Sequence, residues 1–307
     1  MASFTFMGFA KAFGYGTISQ LTKNISKPAG MLWLVTAILF IMVTILFLLK
    51  KESWLIIVFI AIIISQALIV NVWKDAKWGT FANIIMMFVA IANFAGNQFE
   101  STFKKDAQAN LRVANIRKMD LLTDADLQRL PPPVQKYIRY CGALNQPKVR
   151  NVKIIFDGEM RSRTGNWFQF KTVQYNFFDK PARLFFMKAK MFGLEVPGYH
   201  RYQNETAGMQ VKLFGLFPVM QAEGHEMNKA ETVTVFNDMC LIVPATLIDR
   251  RIQWESVDSL SAKATFNNGI NKITATLYFN EQRQLVNFIS DDRYDIGDMK
   301  QYRFPHP

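Results

Sequence analysis

Three long stretches without a charge constrain this chain more than any other feature. Residues 31–49, 54–73 and 78–95 run for 19, 20 and 18 residues without an Asp, Glu, Lys, Arg or His. A bilayer core of ~30 Å takes about 20 helical residues to cross. Backbone polar groups cannot stay unpaired in lipid, so each stretch must be a helix. The links KKES (50–53) and KDAK (74–77) are too short for anything but antiparallel hairpins. Trp33, Trp54, Trp73 and Trp78 fall at or near stretch ends, the pattern of an aromatic belt at headgroup level. The first apolar run starts too late for a cleaved signal peptide, and two more follow it. The chain reads as an integral membrane protein.

Charge separates the two halves. Residues 1–100 hold seven Lys with Glu52, Asp75 and Glu100, whereas residues 101–307 hold 29 Lys+Arg and 21 Asp+Glu. A net charge of +12 fits either nucleic acid or an anionic membrane surface. With no arginine-rich run, zinc-finger spacing or RNA-binding signature, the expected partner is membrane lipid and not nucleic acid. Lysines flank the two sides of the spans almost equally, and a slight excess places the soluble domain outside the cytoplasm. Ser65, Gln66, Asn83 and Asn93 lie within spans, but no ionisable residue joins them, so interhelical hydrogen bonding is expected rather than a polar pathway. The short apolar run FTFMGFAKAFGYG near the start is read as an interfacial segment or as the tail of a helix.

The expected organisation is a membrane region over 1–98, a basic helical connector over 99–120 and a β-rich soluble domain over 121–307. Thr123 and Asp126 have capping-box spacing. Pro131 to Pro133 seat a helix carrying Val134, Tyr137, Ile138 and Cys141 on one face. From Val149 the period becomes two, with turn chemistry at 164–166, 179–181, 204–208, 267–269 and 281–283. Between the strands, NKAETVTVFNDMCLIVPATLI reads as a helix with Asn228 as N-cap. The fold class is therefore α+β: helical membrane hairpins, then one curved antiparallel sheet of at least seven strands with one or two packed helices. Cys141 and Cys240 are expected as two small buried side chains.

The segments LPPPVQKYIRYCGALNQPKVRNVKIIFDGEMRSR (130–163), YHRYQNETAGMQVKLFGLFPVMQAEG (199–224) and KAETVTVFNDMCLIVPATLI (229–248) resemble an uncharacterised bacterial family with a domain of unknown function behind several membrane helices. That resemblance implies a bacterial cytoplasmic membrane and a pattern of four spans. It also implies further strands after DDRY, so the chain is expected to lack most of a first helix and some C-terminal strands. In members an acidic residue is expected near His200 and a Trp just before Pro244, where this chain has Val243. The resemblance supplies no catalytic residue. By fold analogy, a curved sheet with a helix across it is similar to lipoprotein-carrier domains, which hold acyl chains on an apolar face.

No catalytic motif emerges from the residues. His225-Glu226 begins a zinc-protease pattern, but position 229 is Lys. The acids Asp157, Glu159, Glu195, Glu231, Asp238, Asp291 and Asp292 are scattered. No cofactor, metal site or catalytic residue is expected. Aromatic density is the more informative signal, because both faces of several strands are apolar, as in Leu184-Phe185-Phe186-Met187. The candidate ligand-binding residues are Phe168, Phe170, Phe185, Phe186, Met187, Met209 and Leu213, with Lys188 and Arg201 toward an anionic headgroup. The expected function is non-enzymatic binding of a lipid, an acyl chain or another envelope component, with a membrane scaffold or a carboxylate-dependent hydrolase as alternatives.

Overall fold

The computed structural model describes residues 1–114, 120–161, 165–191, 193–294 and 301–306, with residues 114 and 301–306 described by backbone alone. It divides into two units, Met1–Gln98 and Phe99–Pro307.

The first unit is helical: α1 (Ala2–Phe13), α2 (Lys27–Leu48), α3 (Trp54–Asn71), a short α4 (Trp73–Ala76) and the first half of α5 (Trp78–Ala114). α2, α3 and α5 are long and apolar enough to cross a membrane, which suggests a membrane protein. Ser26 caps α2 by accepting from the Ala29 N–H at 3.4 Å, with Pro28 in the first turn. The apolar run near the start is helical, and glycine seats it on α2. A Cβ on Gly8 would lie 2.3 Å from the Trp33 ring, and one on Gly30 would lie 2.3 Å from Ala12. Small residues let helix backbones approach this closely. Trp33 is therefore buried between helices and Trp54 is buried as well, whereas Trp73 and Trp78 are exposed. Ser65 and Asn83 bond each other, Asn83 also donates to Gln66 at 3.0 Å, and Gln66 donates to Thr80 at 2.9 Å. The mid-span polar groups thus tie α3 to α5, while the exposed Asn93 accepts from Asn97 on its own helix.

In the second unit, α5 continues unbroken past the expected junction of span and connector. Then come α6 (Asp124–Leu127) and α7 (Pro132–Tyr140). The Asp126 carboxylate accepts from the Thr123 N–H at 2.8 Å, completing the cap. On α7, Val134, Tyr137 and Ile138 are buried as their spacing predicts, but Cys141 is exposed, because it sits past the last turn at the C-cap. Cys240 is buried.

The strands form two antiparallel sheets rather than one. β1 (Asn151–Met160), β2 (Phe168–Phe177), β3 (Ala182–Met191), β4 (Leu194–Gln203), β5 (Thr206–Leu213) and β6 (Phe217–Glu223) make a six-stranded meander. β7 (Ile252–Ser256), β8 (Ser261–Asn268), β9 (Asn271–Phe279) and β10 (Leu285–Tyr294) make a second meander, along whose last strand the backbone of β11 (Gln301–His306) pairs. α8 (His225–Leu241) joins the sheets and packs on both, followed by a 3-10 turn (Pro244–Ile248). Contact on two sides explains its sequence, since a helix buried all round has no polar face to reveal it. It starts three residues before Asn228, whose side chain accepts from the Ala207 N–H of β5 at 2.6 Å instead of capping the helix. Toward the second sheet, Phe236 stacks on Phe266 at 5.5 Å and meets Phe288 at 5.8 Å.

Candidate functional site

Strand register sorts the first sheet's side chains onto two faces: an inner face toward α8 and an outer face toward α5. The inner face has two halves of opposite chemistry. The half beneath α8 is polar. Arg183 of β3 donates to Glu231 at 3.3 Å and to Asp238 at 3.1 Å. Gln174 and Asn176 of β2 donate to the same Asp238 oxygen at 2.8 and 2.9 Å. His200 of β4 lies 3.8 Å from Glu231, and Tyr202 shares a 2.7 Å hydrogen bond with Thr232. Glu231 is only 4% exposed. Burial raises its pKa, but the Arg183 charge, then His200 and Arg293, outweigh burial and bring the carboxyl down to about 2. Arg293 of β10 also bonds Thr234 of α8, which ties the second sheet into the network.

The other half, beyond α8, is apolar except for the buried Thr172, which stands between Phe156 and Met187. β1 presents Ile154, Phe156, Gly158 and Met160. β2 presents Phe168 and Phe170, and β3 presents Phe185, Met187, Ala189 and Met191. β4 adds Leu194, Val196 and Gly198, and β5 adds Val211 and Leu213. Thr172 marks the border, its hydroxyl donating to the Phe156 carbonyl at 3.2 Å. Gly158 has a packing reason: a Cβ there would lie 3.2 Å from the Phe170 ring, which meets Phe156 edge-on at 6.0 Å. The surface is incompletely covered. Phe156 is 40% exposed, Met160 37% and Met220 of β6 48%. Phe168, Phe170, Phe185 and Met187 are half-buried.

Register brings six of the nine candidate residues to this inner face: Phe168, Phe170, Phe185, Met187, Met209 and Leu213. Met209 sits in the core by α8, opposite His200. Phe186, Lys188 and Arg201 lie on the outer face. There Phe186 is buried, stacked on Phe103 of α5 at 5.3 Å. Lys188 pairs with Glu100 at 2.7 Å, and Arg201 donates to Asp106 at 3.0 Å. Grooves of about 410 and 450 Å³ flank α5 on this face. The second is lined by Lys104, Lys153, Lys171 and Lys188 over Val173 and Tyr175.

Most of the candidate acids are committed or solvated. Asp157, Glu159 and Asp291 are exposed, Glu195 sits 3.6 Å from Lys188, and Asp292 accepts from the Thr274 N–H and pairs with Lys229 at 2.7 Å. Among the described residues, no group of three His, Cys, Asp or Glu has the geometry to hold a metal. What the inner face beyond α8 offers is apolar surface.

The Arg183 network was missed at the level of sequence. Its signal was there: Glu231 and Asp238 stand seven residues apart, two turns on one helix face, and Arg183 interrupts an apolar strand.

Residues 120–306 match the family model described as a family of unknown function, DUF6544. The chain belongs to this family. No curated protein matches it. The DUF6544 match begins after α5, so both sheets and α8 fall inside it while the helices of the first unit precede it.

Proposed function

We propose that this chain is a membrane-anchored, non-enzymatic DUF6544 protein that holds an acyl chain or a similarly apolar part of a lipid on the inner face beyond α8. One observation carries the reading: the strands of a six-stranded sheet present a largely apolar surface there, broken only by the buried Thr172 among the described residues, and it stays partly open. Soluble domains rarely leave such a surface uncovered without a partner for it. Each methylene withdrawn from water contributes ~0.8 kcal/mol, so about ten of them offer on the order of 8 kcal/mol before ordering costs. The basic residues expected at a headgroup, Lys188 and Arg201, lie on the opposite face and are paired to α5. The reading therefore rests on the apolar chain and not on headgroup charge.

The test is lipid extraction and mass spectrometry of the purified full chain. Wild type carries a bound acyl lipid at a fixed stoichiometry. The double variant Phe170→Asp/Met187→Asp loses it, whereas Ile155→Asp on the exposed outer face keeps it. Equal lipid content in all three proteins overturns the proposal and leaves a protein partner as the occupant of the surface.

A further inference from the structure

The two ends of the six-stranded sheet differ. At one end, where β1 meets β2, β3 meets β4 and β5 meets β6, apolar side chains are exposed: Trp167 just before β2 is 60% exposed, and Leu194 and Phe217, the first residues of β4 and β6, are 42% and 54% exposed. The turns at the other end carry Asp179, Lys180, Asn204 and Glu205. Water accommodates the second set readily, but not a row of the first.

Contacts of α5 within the same unit give the sheet a direction. Phe99, where the unit begins, lies under Lys212 at 4.5 Å, and Glu100 pairs with Lys188 at 2.7 Å. Both lysines stand within a few residues of the apolar end. A turn or two later Asp106 accepts from Tyr199 at 2.8 Å, and Asn110 and Val113 line a cleft with Asp179 and Asn204 at the polar end. The chain thus enters this unit beside the apolar tips and travels away from them. The residues just before Phe99 are the third charge-free stretch, 78–95.

Charge at the tips suits the same neighbour. Arg161 stacks over the Trp167 ring at 4.9 Å, and Lys190 is exposed opposite Glu195, while Glu159 and the Lys188-paired Glu100 are further acids toward this end. An exposed tryptophan beside cations is the composition of a headgroup-level contact.

We propose that the apolar end of the first sheet is a second membrane contact, with the side chains of Trp167, Leu194 and Phe217 seated in the headgroup region of the bilayer. This contact goes beyond the acyl-chain reading and does not depend on it, since it uses the strand tips and a bilayer rather than the sheet face and a bound chain. The occupant is a lipid surface. A second copy of the chain is the outcome that would displace it.

The experiment uses the full chain reconstituted in vesicles of phosphatidylcholine and phosphatidylglycerol. Cys141→Ser removes the exposed thiol, the buried Cys240 stays, and a nitroxide is attached at Leu194→Cys, Phe217→Cys or Asn204→Cys in turn. The labels at 194 and 217 are expected to relax faster with oxygen than with an aqueous nickel complex, at a depth of ~5–10 Å, the range of interfacial apolar contacts. The label at 204 is expected to show the reverse. If the labels at 194 and 217 are as accessible to nickel as the one at 204, or show only spin–spin broadening between copies, the proposal is overturned. Its failure leaves lipid content in the Phe170→Asp/Met187→Asp comparison untouched, so the two ideas are judged separately.

Discussion

Phe185 meets His200 nearly edge-on, ring centroids 5.6 Å apart, on neighbouring strands of the first sheet. This contact is the seam of the inner face. On one side Arg183, whose guanidinium lies 4.8 Å over the same Phe185 ring, is drawn into the carboxylates of α8. On the other side Met187 begins the apolar half. A single strand therefore serves two opposite environments within five residues.

The buried network sets a pH limit. Glu231 is held down to about 2 when folded, against an ordinary carboxyl near 4.5. A depressed folded pKa contributes stability that is fully present above the unfolded value and is lost as pH falls through the folded one. Thermal unfolding of the detergent-solubilised chain should hold steady from pH 7 to about 5 and weaken between about 4.5 and 2. Glu231→Gln should cost roughly 3 kcal/mol at pH 7, the low end for breaking a buried pair, because Asp238 still faces Arg183. It should also flatten the acid limb.

Arg183→Met should be worse than Glu231→Gln. It takes from Glu231 and Asp238 the arginine that bonds both, leaving Arg293 as the cation near the pair, and it removes a donor from Gln174 as well. The same melting experiment at pH 7 checks the order, and a milder loss for Arg183→Met would contradict the network.

The outer face depends on α5. Phe103 packs on Phe186, Tyr199 and Tyr175, so Phe103→Ala should destabilise the chain by about 3 kcal/mol. Limited proteolysis should then cut within residues 99–114 at a protease dose that leaves wild type intact.

The two cysteines should differ in reach. Cys141 is exposed and Cys240 is fully buried. A thiol reagent should modify one site per native chain, mapped to Cys141, and both after denaturation.

The three apolar stretches and most strands were legible because each is written in a local pattern: absence of charge over a bilayer's length, and alternation at period two. The split into two sheets was not, because alternation says which residues share a face, not which strand pairs with which. The face of Phe186 was open for the same reason. In Leu184-Phe185-Phe186-Met187 either parity is apolar, and only the docking of Phe99 and Phe103 puts Phe186 on the outer side. Likewise Asn228 looks like a cap until β5 takes its side chain.

The central claim is that the inner face holds an acyl chain, and photocrosslinking tests it most directly. A phospholipid with a diazirine near the end of one acyl chain is incorporated into vesicles with the full chain and irradiated, and the adducts are mapped by peptide mass spectrometry. The account predicts adducts at Phe168, Phe170, Phe185 or Met187 in addition to those on residues 31–95, and their loss in Phe170→Asp/Met187→Asp. Adducts confined to residues 31–95 in the wild-type chain would contradict it.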